Sequence, residues 1–167
     1  MDTDDLTRLS PQDAVVTLRS LPRRFRTALR PADDDNLDEF AERVGSSGRS
    51  PLDFLVDADR SLTLLHRSLE QVLRQDDPVL APATLDPAAR EWPSTHAGLD
   101  GELAHLEGSA TELADLAERT AAADWGRTAT VAGRSAPIEA LDVLREAVRT
   151  AITDLKAAEQ TLDEVRR

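Results

Sequence analysis

The sequence predicts an all-α domain: a four-helix bundle with a long crossover connection and one short extra helix. Three observations carry this. Apolar residues recur at alternating three- and four-residue steps in three separate stretches, the mark of helices packed lengthwise on one another. Serine-proline pairs stand where two of the helices should begin. Aromatics make up only 3% of the 167 residues and there is no Tyr, so Ala and Leu must fill the core, a composition that favours helices over sheets.

The first long helix is expected over 10–30. Ser10-Pro11-Gln12-Asp13 supplies a capping hydroxyl, a proline at the first helical position and a carboxylate near the exposed N–H groups. Val15, Leu18, Leu21, Phe25 and Leu29 mark its apolar stripe, and Pro22 predicts a kink or a break with a restart. A polar loop at Ala32–Asp35 leads to a short helix on Leu37, Phe40, Ala41 and Val44, with Gly45 as its C-terminal cap and a flexible Gly45–Arg49 after it.

The second long helix is expected over 50–75, opened by Ser50-Pro51-Leu52-Asp53 and seamed by Leu55, Ala58, Leu62, Leu65, Leu69 and Val72. Pro78 to Pro93 contains four prolines and reads as a connection crossing the bundle. The third, over 95–123 with Ser94 or Thr95 at its start, carries Leu99, Leu103, Leu106, Ala110, Leu113, Ala117 and Thr120. Gly101 and Gly108 weaken it by about 1 kcal/mol each relative to Ala and suggest a closely approaching neighbour. Thr128–Gly133 reads as a short extended loop. The fourth long helix, over 136–165, starts near Ser135 with Pro137 in its first turn; Leu141, Leu144, Val148, Ala151, Leu155, Ala158, Leu162 and Val165 form its seam. No repeat of fixed period runs through the chain. Residues 1–167 are expected to form one domain, with 1–9 flexible.

The net charge of −12 argues against nucleic acid and anionic membrane surfaces as partners, since both demand a positive field. The absence of Cys excludes disulfides, thiolate metal sites and a Cys nucleophile. No apolar run approaches a membrane span, and Met1-Asp2-Thr3-Asp4-Asp5 is unlike a signal peptide. A cytoplasmic location is the expectation by elimination. Lys156 is the only lysine beside many arginines, a usage that fits a GC-rich bacterial genome.

Chemistry-bearing motifs are sparse. There is no Gly-rich phosphate loop, Gly-x-Ser-x-Gly elbow or His-Glu-x-x-His pair. His66, His96 and His105 share no helix at three- or four-residue spacing, so they read as structural histidines. Arg19, Arg23, Arg24, Arg26 and Arg30 form one basic cluster. An anion site is the functional reading, and a solvated helix face balancing an acidic chain is the favoured one. Trp92 and Trp125, in or beside loops, read as plugs over a bundle end, with Trp125 a candidate for lining a pocket there. Asp57 and Glu146 lie off their helices' main seams, where carboxylates line interhelical pockets or make polar contacts.

Ser50-Pro51-Leu52-Asp53-Phe54, then Asp76-Asp77-Pro78, then Asp124-Trp125-Gly126-Arg127-Thr128 and Gly133 resemble the actinobacterial branch of the DinB-like superfamily, over roughly residues 10 to 160. That superfamily includes the N-terminal domain of mycothiol-dependent maleylpyruvate isomerase. The resemblance implies a four-helix bundle with a long crossover. It also implies a divalent metal held by three histidines, one on the second long helix and two on the fourth, and thiol-linked transferase, isomerase or hydrolase chemistry. Counted from Ser50, the first ligand position falls on Asp57. Matched through Asp154, the other two fall on Glu146 and Thr150. None is histidine, and Asp, Glu and a hydroxyl make a hard-oxygen set poorly suited to Zn or Ni. The missing histidines point to a bundle that has lost the metal, needs no cofactor and serves as a binding or accessory module for a small molecule or protein. The alternatives are a metal-dependent enzyme with a weakly bound Mg or Mn at Asp57, Glu146 and Thr150, and a structural homodimer. No catalytic residue is assigned.

Overall fold

A computed structural model of the chain describes residues 8–30, 37–91 and 95–167. The expected loop at Ala32–Asp35, Trp92, the Ser94 cap and most of the expected flexible N-terminus lie outside the described residues. Five α-helices lie among the described residues: α1 (Pro11–Leu29), α2 (Leu37–Glu42), α3 (Pro51–Arg74), α4 (Gly98–Arg119) and α5 (Ala140–Val165). Three short strands accompany them: β1 (Val79–Leu80), β2 (Thr128–Val131) and β3 (Ile138–Glu139).

Two of the expected caps form as read. Ser10 accepts from the Asp13 amide at 3.2 Å. Ser50 and Asp53 close a reciprocal capping box, the Ser50 amide donating to Asp53 at 2.7 Å. The seam residues then face inward: Leu55, Leu62, Leu65, Leu69, Leu106, Leu113 and Leu144 are all fully buried. α3 packs on α4 and α5, and so does α1, which sets α1 and α3 on one diagonal of the bundle and α4 and α5 on the other.

Several boundaries differ from the sequence reading. α1 runs unbroken across Pro22, so no restart occurs there. The proline is buried among the core residues of α1, and its packing offsets the backbone hydrogen bond that it removes. Gly45 has no left-handed backbone and caps nothing; a Cβ on it would lie 2.8 Å from Thr161 Cγ2 of α5, so the glycine serves close approach. α4 begins at Gly98 rather than 95, and it ends at Arg119, followed by a 3-10 turn over Ala122–Gly126. Gly108 has nothing near its missing Cβ, and Gly101 meets only its own chain's Ala97, so neither marks a close neighbouring helix.

α5 starts at Ala140, not near Ser135. Gly133, at φ +83°, turns the chain so that Ile138 pairs with Ala129 in an antiparallel β2–β3 ladder. Glu139 and Asp142 then form the capping box of α5. The expected extended loop at Thr128–Gly133 is thus mostly strand. β1, in the crossover, pairs in parallel with β2, Val79 opposite Thr130. This small sheet, ordered β1-β2-β3, ties the crossover to the α4–α5 connection. Arg127 adds a further tie: it donates to the carbonyls of Val72 (3.0 Å) and Gln75 (2.8 Å) at the end of α3. No helix among the described residues is long and apolar enough to cross a membrane.

Candidate functional site

Glu146 and Thr150 stand four residues apart, so α5 presents them on one face. Both are buried, and the Thr150 hydroxyl donates to Glu146 Oε1 at 3.1 Å. Ser61 of α3, also buried, faces the same space. The crossover sends Arg90 into it. The Arg90 side chain is 3% exposed, and its guanidinium donates to Glu146 Oε1 at 3.0 Å, Thr150 Oγ1 at 3.1 Å and Ser61 Oγ at 3.3 Å. Its remaining N–H groups reach the crossover's own carbonyls, Ala83 at 2.8 Å and Thr84 at 3.3 Å. The crossover is itself pinned to α3 by the buried contact of the Ser68 and Thr84 hydroxyls, 3.2 Å apart. Arg149 completes the set, donating to Glu146 Oε2 at 2.9 and 2.6 Å. Both oxygens of the buried carboxylate are therefore taken by arginines.

Asp57 has other partners. Arg49 bonds its carboxylate at 2.6 Å while stacking on the Phe54 ring, 4.1 Å from its centroid. The carboxylate that feels Asp57 is Asp154, one turn beyond Thr150 on α5. Burial, reinforced by the charge of Asp57, pushes the Asp154 carboxyl up to about 7, against the pull of Arg49 and Arg90. Asp154 Oδ2 is buried without a hydrogen-bond partner. The structure thus joins Glu146 to Thr150 directly, and sets Asp57 beside Asp154 and Arg49.

This arrangement does not fit the metal that the resemblance implies. A cation already occupies the space between Ser61, Glu146 and Thr150, and it is a guanidinium. Glu146 is neutralised by Arg90 and Arg149 and Asp57 is paired with Arg49, so a divalent ion between Ser61, Glu146 and Thr150 would have to displace Arg90 from a buried, fully bonded position. Arg60 and Arg145, the arginines nearest in sequence to Asp57 and Glu146, work elsewhere: Arg60 donates to the Thr95 carbonyl and Arg145 to the Leu9 carbonyl.

Sequence reasoning missed Arg90, Ser61 and the part played by Asp154. Arg90 is the only basic residue between Pro78 and Pro93, a signal present in the sequence but with no periodicity to say where it points. Ser61 and Asp154 lie four residues from Asp57 and Thr150 respectively, on the same helix faces.

Three of the five arginines of the basic cluster meet acids of α4. Arg19 pairs with Asp115 (2.9 Å) and Glu118 (2.7 Å), Arg26 with Glu107 (3.4 Å) and Arg30 with Asp100 (2.5 Å). Trp125 is buried and lines a cavity of about 640 Å³ with Pro11, Val15, Ala117 and Leu141.

No family model and no curated protein matches the sequence. Among solved structures the chain is similar to YfiT from Bacillus subtilis, described as "a probable metal-dependent hydrolase with an unusual four-helix bundle topology". The match has a TM-score of 0.73 at 14% identity and covers 98% of this chain and 88% of that one. Likeness at this identity shows the fold, and it agrees with the four-helix bundle read from the seams.

Proposed function

We propose that this chain is a DinB-like bundle in which an internal arginine has taken the place of the family's metal, and that it acts as a binding or accessory module rather than as a metal-dependent enzyme at that site. The burial of Arg90 on Glu146, Thr150 and Ser61 carries this reading. A guanidinium with every bond direction occupied has no open position for a substrate or water, whereas a catalytic metal keeps one. The cavity beside Trp125 supports the binding half of the reading. Val15, Ala117, Leu141 and Trp125 give it apolar walls, with polar atoms from Gln12, Glu118 and Thr120, a lining suited to a small, largely apolar ligand.

The test is metal analysis of untagged protein, followed by titration with Mn²⁺ and Zn²⁺ of the parent, Asp57→Asn and Glu146→Gln. The expected result is that neither substitution changes the amount of metal bound or its affinity. Asp57→Asn is the milder change and keeps the test decisive if Glu146→Gln unfolds the chain. A stoichiometric metal lost on either substitution in folded protein would overturn the reading in favour of an enzyme with a hard-oxygen metal site.

A further inference from the structure

Asp59 lies two residues beyond Asp57 and so points to a different side of α3, toward α4 instead of α5. Glu102 and His105 of α4, three residues apart, share the face that meets it. One ligand atom from each of Asp59, Glu102 and His105 lies within 4.8 Å of the others. Glu102 is 3% exposed. Its Oε1 accepts from the amide of Ala97, the residue before the first turn of α4, at 2.7 Å, and its Oε2 is 3.5 Å from His105 Nδ1. His105 is 58% exposed and has room to turn.

We propose that Asp59, Glu102 and His105 form a divalent transition-metal site, suited to Zn²⁺, on the α3–α4 face. An imidazole with two carboxylates is a Zn²⁺ donor set, and three protein ligands leave the fourth tetrahedral position open. A cleft of about 420 Å³ provides the opening, and its lining includes a second imidazole, His96, contributed by the segment before α4. Ligands on one tetrahedral ion stand about 3.4 Å apart given bonds of roughly 2.1 Å. Glu102 Oε2 and His105 Nδ1 already stand at about that spacing, 3.5 Å apart, and each of the three groups offers an atom within 4.8 Å of the others. The ordinary alternative is a surface Glu–His pair. It accounts poorly for a carboxylate as deeply buried as Glu102 facing a second carboxylate, a pairing that a cation resolves.

The site is separate from the α3–α5 position filled by Arg90, so it stands whether or not the reading of that position holds.

The experiment is titration of untagged protein with Zn²⁺ against a chromophoric chelator, with circular dichroism to confirm folding of each variant. One equivalent should bind, and His105→Ala and Asp59→Asn should each weaken it by more than about tenfold. His66→Ala and Asp57→Asn should bind as the parent does. His105 is exposed, so His105→Ala keeps the fold and the test does not depend on variants of the buried Glu102. Absence of Zn²⁺ binding in the parent, or parent-like affinity in both His105→Ala and Asp59→Asn, would overturn the site. Loss of the ion in Asp57→Asn alone would overturn it too, and would also place a metal where Arg90 is assigned.

Discussion

Arg90 shows how much one side chain in an irregular segment decides. Its guanidinium satisfies Glu146, Thr150 and Ser61 and is held by two carbonyls of its own loop. Removing one member of a buried ion pair strands the other, at a cost of about 3–5 kcal/mol. Arg90→Ala should therefore lower the unfolding free energy by about that amount in urea titrations, and the double variant Arg90→Met/Glu146→Gln should recover a large part of it. A loss below about 1 kcal/mol would mean that the guanidinium does not sit on Glu146. Asp154 gives a second prediction at the same scale. Its folded carboxyl titrates at about 7, against 3.8 in the ordinary state. Between those values the unfolded chain has lost this proton and the folded chain keeps it, so stability from this group is full below about 3.8, is lost as pH rises from there to about 7, and changes no further above that. Asp154→Asn should accordingly be near neutral at pH 4 and stabilising at pH 8, by about 2–4 kcal/mol at most. Unfolding curves at the two pH values, showing equal effects, would dispose of the raised carboxyl. Glu146 and Thr150 were singled out by the family resemblance, and their four-residue spacing placed them on one helix face. Arg90 and the exchange of Glu146 for Asp154 beside Asp57 were not, because contacts between elements leave no trace in the spacing within one.

At the scale of elements, the seams were the clearest signal. Leu62 of α3 and Leu144 of α5 are fully buried, as their three-four spacing required. Leu62→Ala and Leu144→Ala should each cost about 2–5 kcal/mol, and thermal or urea unfolding losses under about 1 kcal/mol would place them at the surface. Helix ends were read well where a hydroxyl cap and a proline coincide, at Ser10 and Ser50. They were misread where the same residue types serve another element. Ser135 and Pro137 precede a strand, and Ile138 joins Ala129 before α5 begins, with Glu139 as the cap. Glu102, three residues before His105, was the signal for the α3–α4 cluster, but on a helix this acidic an i,i+3 Glu–His pair is indistinguishable from a solvated one. Its burial comes only with the packing of α3.

For the whole molecule, the apolar seams do not say which helices are neighbours. The long crossover permits several arrangements, and the one adopted, α1 diagonal to α3, is closed by β1 pairing with β2 and by Arg127 at the end of α3. This order also accounts for three of the five arginines of the basic cluster. Arg19 and Arg26 of α1 and Arg30 at its C-terminal cap meet Asp115, Glu118, Glu107 and Asp100 along α4, a ladder between two helices. The pairs are solvent-exposed, so each contributes little and all are screened by salt. Their joint effect is larger than the sum of isolated pairs in one respect: the chain carries a net charge of −12, and α4 would otherwise face α1 with an uncompensated acidic edge. Replacing Arg19, Arg26 and Arg30 together by Gln should lower the melting temperature in low salt, and the deficit should shrink in about 1 M NaCl, where the Debye length is about 3 Å. The fold, followed by circular dichroism, should be unchanged, because the apolar seams of α1 and α4 remain. A deficit that persists undiminished in high salt would show that these arginines stabilise the bundle through packing of their stems and not through charge, and would remove the electrostatic account of how α1 is registered on α4.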